Sequence, residues 1–297
     1  MSFTGRAAVV TGAGSGIGRA VAVELASRGA HLAISDIDPL SLAHTADLVA
    51  RAGTPVHTAT VDVADRAAVD AYAAEVLDYY ESVHVLVNNA GIAGDTGPFV
   101  EADIDRFEAI LGVNLWGVIN GTRAFLPALI ASGNGHLVNI SSINGVVAQP
   151  GGGAYCTSKF AVRGFSESVS ADLLAAGAPV RVTVVHPGGV STNIASASLE
   201  RARAENVEVT SRQQRRVETY NAKLLRMDPA KAARIIVDGV AAGRPRVLVG
   251  NDARLLDLLA RLAPGRIPAI AAWSERRVFG APTTQATGSS VDRGGVS

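Results

Sequence analysis

Thr11-Gly12-Ala13-Gly14-Ser15-Gly16-Ile17-Gly18 is the stretch that decides the fold. It comes after a short apolar run, Ala7 to Val10, and opens a helical pattern from Gly18 to Arg28 that stops at Gly29. Glycines between a strand and a helix permit a tight turn. They also let backbone N–H groups approach a pyrophosphate at the positive end of the helix. A glycine-rich string alone is a weak signal, because turns are full of glycine. The residues downstream strengthen it. His31 to Ser35 reads as the next strand, and Asp36 stands at its end, 18 residues past Gly18. That is close to the spacing of about 20 expected for an acid that binds both ribose hydroxyls. Its charge would repel a 2′-phosphate, and neither Ser15 nor Ile37 supplies an arginine to hold one, so NAD is expected over NADP. The competing reading of Asp36 is a loop acid capping the helix that begins near Pro39.

Outward from this turn, apolar runs alternate with helical patterns, the signature of βαβ units and a parallel sheet. Further strands are expected at Val56–Val61, Val85–Asn88, His136–Ile140, Val180–His186 and Arg246–Val249. Helices are expected at Pro39–Arg51, Ala67–Tyr80, Ile104–Leu129, Ala154–Ala176 and Pro229–Ala242. Right-handed crossovers make this a doubly wound α/β fold with helices on both faces.

Two stretches break the rhythm. Residues 193–226 are polar, carry Arg201, Arg203, Arg212, Arg215 and Arg216, and contain no apolar strand. A loop of that length in a compact domain is a functional lid or disordered. After residue 250, Leu255, Leu256, Leu258, Leu259 and Leu262 form a stripe that leads into the apolar segment 267–273. The division expected is a dinucleotide-binding and catalytic domain at 1–250, with 193–226 as its substrate lid, a helical extension at 251–280, and a disordered tail at 281–297.

Composition bounds the function. The 297 residues are 48% hydrophobic and 18% charged, with 27 basic and 27 acidic side chains. Zero net charge gives no bulk attraction to nucleic acid or an anionic membrane, so no nucleic-acid partner is expected. The single cysteine, Cys156, excludes an intrachain disulfide and a cysteine-cluster metal site. The six histidines are scattered, so no metal is expected. No apolar run reaches the roughly 18 residues of a membrane span, and the N-terminus lacks the order of a signal peptide. A cytoplasmic protein is the resulting expectation.

The chemistry converges on Tyr155 and Lys159, four apart and therefore on one helix face. A free tyrosine with a pKa of about 10 is a poor base at neutral pH. A neighbouring ammonium stabilises the phenolate, so the tyrosine can exchange a proton with a substrate oxygen. Ser142 lies just after the strand ending at Ile140, at the carboxyl edge where such folds place their sites. Its hydroxyl can bond the oxygen undergoing reaction, although by itself it also suits a helix-cap or loop serine.

In the ordered set Thr11–Gly18, Asp62 within Val61-Asp62-Val63, Asn88-Asn89-Ala90-Gly91, Asn114, Ser142, Tyr155, Lys159 and Pro187-Gly188, the chain resembles the classical short-chain dehydrogenases/reductases from about Thr4 to Gly250. The resemblance implies a single Rossmann-type sheet and assigns roles. Tyr155 would be the general acid/base, Lys159 would tune it and hold the nicotinamide ribose, and Ser142 would orient the substrate oxygen. Asn114 would anchor a proton-relaying water. Gly12, Ser15, Gly16, Ile17 and Gly18 would form the phosphate cradle, with Asp36 on the ribose. Asp62 and Val63 would contact adenine, and Asn88 to Gly91, including Asn89 and Ala90, would line the adenosine ribose. In the loop opened by Pro187 and Gly188, Val190 and Thr192 would position the nicotinamide carboxamide. Asn88 and Asn89 remain readable as strand-end turn residues, and Asn114 as a hydrogen-bonding residue at a helix kink. Cys156 and His186 read as packing residues. A homodimer or homotetramer, formed through the helices carrying Asn114 and Tyr155, is also implied.

For the substrate, small residues at Gln149-Pro150 and Gly151–Gly153 leave room beside Tyr155 for a bulky apolar secondary alcohol or ketone of steroid, retinoid or lipid-like type. The lid arginines could attract an anion, but interleaving with Glu200, Glu205, Glu208 and Glu218 favours a solvated amphipathic face. The leucine stripe is expected against the core or a neighbouring subunit, with membrane contact through 255–273 the less favoured reading. Two alternatives stay open: an NADPH-dependent oxoacyl or carbonyl reductase, against which Asp36 counts, and a non-catalytic dinucleotide sensor, which would not need a tuned tyrosine.

Overall fold

The computed structural model describes residues 1–94, 97–204 and 209–279. Seven strands alternate with helices: β1 (Ala7–Thr11), α1 (Gly16–Ser27), β2 (His31–Asp36), α2 (Pro39–Ala50), β3 (Val56–Thr60), α3 (Arg66–Tyr80) and β4 (Val85–Asn88) form the first half. Then come α4 (Ile104–Leu111), α5 (Gly117–Ala131), β5 (Gly135–Ile140), α6 (Gly153–Ala175) and β6 (Val180–Pro187). Helices α7 (Ile194–Ala204), α8 (Ser211–Thr219) and α9 (Pro229–Ala241), strand β7 (Arg246–Val249), and helices α10 (Asn251–Leu262) and α11 (Ile267–Phe279) complete the order.

The sheet is parallel throughout, in the order β3-β2-β1-β4-β5-β6-β7. Every residue of β4 and β5 is buried, as expected when helices cover both faces. Successive residues serve opposite cores: Val10 packs toward α1 and α9, whereas Val9 packs toward α3 and α5. The order reverses between β1 and β4, and the crevice outside their carboxyl ends is where a doubly wound sheet takes its ligand.

Local chemistry sets the helix starts. Asp38 accepts from the Leu40 and Ser41 amides before Pro39 opens α2, and Asp65 does the same for Ala67 and Ala68 ahead of α3. The cap of α2 is therefore Asp38, and Asp36 is left to another role.

The structure departs from the sequence reading in three places. The single helix expected at Ile104–Leu129 is divided by a π-helical turn at Gly112–Trp116, and Asn114 is buried within it. Residues 193–226 are largely helical rather than a loop. They form α7, α8 and a π turn at Tyr220–Leu224, and Thr210 and Gln213 close a capping box on α8. Polarity on the outer face had hidden an inner face with Leu199, Val217 and Leu224 on the cavity. Finally, the leucine stripe of α10 divides: Leu255, Leu258 and Leu262 are exposed, while Leu256 and Leu259 line the cavity. The buried anchor of α10 is instead Asp257, whose carboxylate takes Arg246 Nη1 and Nη2 at 2.8 and 2.5 Å. The tail at 281–297 lies outside the described residues. Among the described residues, no helix is long and apolar enough to cross a membrane.

Candidate active site

One cavity of about 1650 Å³ runs along the carboxyl edge of the sheet. At the β1 end it is lined by Gly12, Ser15, Gly16, Ile17 and Asp36. Gly12 has φ +63°, and a Cβ there would lie 2.6 Å from Ala90 Cα, so only glycine lets the turn lie against the end of β4. Ser15 sits at the N-cap of α1 but makes no side-chain cap bond, which leaves first-turn N–H groups facing the cavity. Asn89 braces the turn, its Nδ2 donating to the Thr11 and Gly12 carbonyls at 3.0 Å each.

Asp36 Oδ2 accepts from the Gly14 amide at 2.7 Å and Oδ1 from the Asp38 amide at 3.0 Å. The carboxylate is thus held on the cavity wall. Arg19, one turn into α1, comes near by folding, although nothing local in the sequence marks it. Its guanidinium is turned to the Gly14 carbonyl, with Nε 3.0 Å from Thr45 Oγ1, and it braces the turn. Asp62, Val63, Ala90 and Gly91 also line the cavity. Asn120 donates to the Val63 carbonyl at 3.0 Å and fixes that loop. Two expectations change here. Gly18 does not line the cavity; it lets α1 pack on the Gly12 carbonyl. Asn88 is turned inward, donating to Asn139 Oδ1 at 2.9 Å and to Thr122 Oγ1 at 3.1 Å in a buried network between β4, α5 and β5.

The chemical end assembles from α6 and the edge of β5. Tyr155 and Lys159 lie one turn apart at the start of α6, and Ser142 lines the same cavity as the Tyr155 phenol. Lys159 Nζ donates to the Ile140 carbonyl at 3.0 Å and stands 5.7 Å from the centre of the Tyr155 ring. Burial pushes the phenol up to about 12, against which the neighbouring Ser142 hydroxyl pulls down. Burial also draws the Lys159 ammonium down to about 8. A lowering of the Tyr155 pKa by Lys159 is not among the effects seen here: both groups lose water, and the ammonium donates to the Ile140 carbonyl.

Asn114 does not line the cavity. Its carboxamide takes both backbone groups of Ile92, at 2.7 and 2.9 Å, and donates to Ser158 Oγ at 3.0 Å, one position before Lys159. The π turn aims it at this loop. His186 is buried, as a packing residue would be, but it has a directional role as well. Its Nδ1 lies 3.0 Å from the Ser142 carbonyl, and burial lowers its pKa to about 4, so the neutral ring donates this bond. Cys156 is buried, which raises its thiol pKa.

The loop after β6 brings Pro187, Gly188, Val190 and Thr192 onto the cavity. It is held by the extension: Asp252 Oδ2 accepts from the Gly189 amide at 2.7 Å. The lid arginines part company. Arg203 and Arg215 are exposed, whereas Arg216 is buried, pairs with Glu275 of α11 and donates to the Pro150 carbonyl at 2.9 Å. The solvated-face reading fails for Arg216 because α11 covers it. The side chains of Arg201 and Arg212, with Glu205 and Glu208, lie outside the described residues.

Comparison with known proteins agrees with this geometry. The family model for short chain dehydrogenases matches residues 6–203. A putative oxidoreductase, SadH, of Mycobacterium tuberculosis is 47% identical over 261 residues, covering 88% of this chain and 92% of that protein. The crystal structure of a short chain dehydrogenase/reductase from Burkholderia phymatum in complex with NAD superposes with a TM-score of 0.80 at 31% identity, covering 95% of this chain and 99% of the other. A metagenomic short-chain oxidoreductase in complex with NADP reaches 0.60 at 36% identity, over 63% of this chain and 84% of its own. The matched segment carries the glycine turn, Ser142 and the Tyr155 helix in unbroken order, and the chain is an oxidoreductase of the classical short-chain dehydrogenase/reductase family.

Proposed function

We propose that this oxidoreductase transfers hydride between NAD and a bulky, apolar secondary alcohol or ketone, with Tyr155 as general acid/base. The observation that carries the reading is the convergence of Ser142, Tyr155 and Lys159 on one cavity whose other end is a glycine cradle closed by Asp36. The cradle fits a dinucleotide: uncapped N–H groups of α1 suit a pyrophosphate, and the Asp36 carboxylate suits two ribose hydroxyls. Asp36 also disfavours a 2′-phosphate. Asp62 and Val63 take the adenine side, Asn89 to Gly91 the adenosine ribose, and Val190 and Thr192 the carboxamide.

NAD, when bound, supplies the carbon that accepts or donates hydride. The chain handles the proton. In the reducing direction, the neutral Tyr155 phenol donates its proton to the carbonyl oxygen while Ser142 hydrogen-bonds the same oxygen. The Lys159 ammonium offsets the charge left on the phenolate and holds the nicotinamide ribose. Asn114 fixes the Ile92 loop and Ser158, and anchors a water that passes protons to Lys159. In the oxidising direction the phenolate accepts the alcohol proton, so the rate rises with pH. A homodimer or homotetramer through α4, α5 and α6 is supported by Trp116 and Phe160, large apolar side chains left exposed between and on those helices.

The test follows nicotinamide absorbance with NAD and secondary alcohols from short diols to steroids and retinoids. Tyr155→Phe should reduce turnover by about 10³-fold or more while NADH binding persists. Turnover retained in that variant, or confined to small polar polyols, would reject the reading.

A further inference from the structure

The cavity does not end at Tyr155. Beyond it, the space continues between the lid and the extension, walled by Leu199 of α7, Val217 of α8, Leu256 and Leu259 of α10, Ile267 and Val278 of α11. Thus α10 and α11, which lie past the last strand, turn aliphatic side chains inward onto the substrate space.

Two side-chain links bind lid and extension into one cover. Arg216 of α8 pairs with Glu275 of α11, at 9% and 12% side-chain exposure. Tyr220 stacks on Phe279 with ring centres 5.4 Å apart, and the Arg216 guanidinium lies 5.0 Å from the centre of the Phe279 ring. The Tyr220 hydroxyl donates to Gln149 Oε1 at 2.6 Å, which ties the cover to the loop ahead of Tyr155.

We propose that this cover encloses a distal chamber for the hydrocarbon part of a long-chain secondary alcohol or ketone. The inference rests on the dehydrogenase reading for the position of the reacting carbon and adds where the rest of the molecule lies. Branched aliphatic walls favour a flexible alkyl chain. The aromatic rings present, Tyr220 and Phe279, are stacked on each other rather than set apart to grip a planar ring system. The charged groups at the edge, Arg216 and Glu275, face each other, so a ligand carrying a distal charge would have to break that pair. An alkyl chain requires no such exchange and gains burial for each methylene.

The experiment uses the full chain and a series of alkan-2-ols from butan-2-ol to dodecan-2-ol. Turnover is followed with either nucleotide, and calorimetric binding of dodecan-2-one supplies a readout that needs no catalysis. The chamber predicts that kcat/KM climbs about threefold per added methylene. It also predicts that Ala271→Phe, which fills the chamber from α11, cuts the dodecan-2-ol to butan-2-ol preference at least about tenfold and weakens dodecan-2-one binding. Circular dichroism and the melting temperature check that the variant folds; Glu275→Gln, which loosens the cover without filling it, should lower the same ratio. Turnover with no dependence on chain length overturns the chamber and leaves the dehydrogenase reading standing. Chain-dependent binding with no alcohol turned over supports the chamber and removes that reading. The absence of both turnover and binding overturns the chamber outright.

Discussion

The cradle at the β1 end and the cover over the Tyr155 end are built in opposite ways. In the cradle, the contacts end on main-chain groups: Gly12 lies against the Ala90 backbone, Asn89 donates to the Thr11 and Gly12 carbonyls, Asp36 accepts from the Gly14 amide, and Asp38 caps its own helix. The cover is held by side chains far apart in sequence. Arg216 reaches Glu275 59 residues on, and Asp252 reaches back 63 residues to Gly189. The cradle therefore tolerates little change in shape, whereas the cover can be altered piecewise, and in the proposed function the difference divides binding of a common cofactor from selection of a particular substrate.

The strongest way to break the cradle is Gly12→Ala. A Cβ at φ +63° and 2.6 Å from Ala90 Cα combines backbone strain with overpacking, a loss of about 2–4 kcal/mol. The melting temperature should fall by several degrees, with NADH affinity lost in parallel. A variant that melts like the native chain would show that the turn has slack.

Lys159→Met probes the strain at the junction of the two regions. The folded pKa of Lys159 is lowered to about 8 from 10.5, so the native state binds fewer protons than the unfolded state between those values. The charged lysine thus costs stability most fully below about pH 8, and native stability rises as pH climbs from 8 to 10.5. The variant should be more stable than the native chain by about 3 kcal/mol at pH 7, converge with it near pH 10.5, and be inactive. Denaturant unfolding at several pH values measures this.

For the cover, a double-mutant cycle of Arg216→Ala and Glu275→Ala should return a coupling of about 1–3 kcal/mol, since both side chains are largely withdrawn from water. KM for bulky substrates should rise in each single variant. Independent, additive effects would mean that the lid and the extension are not one unit.

The smallest expected effect is at the cradle's rim. Asp36→Asn removes the negative charge that would repel a 2′-phosphate, and the proposed preference for NAD over NADP should narrow about tenfold, or about 1.4 kcal/mol. Steady-state kinetics with both nucleotides would reveal it.

Much of the cradle and the chemical end was legible in sequence because each depends on local rules. A glycine turn between a strand and a helix can be recognised from eight residues, and Tyr155 and Lys159 share a face through helical periodicity alone. The same rules misjudged Gly18, which serves packing rather than the cavity, and Asn88, which a buried network claims. Arg19, Asn120, His186 and Asp252 support the site through contacts with distant residues, so no local spacing marked them.

By itself, then, the sequence determined the doubly wound order of strands, the glycine cradle, Asp36 at the end of β2, and the Ser142, Tyr155 and Lys159 set. These arise from periodicity of about two or 3.6 and from turn chemistry, which act over a few residues. Only the tertiary structure decided that residues 193–226 are largely helical, that Arg216 is buried against Glu275, that the α10 leucines divide between solvent and cavity, and that burial raises the Tyr155 pKa. Each of those depends on which surfaces meet and how much water they exclude. That is a property of the packed chain rather than of any stretch of it.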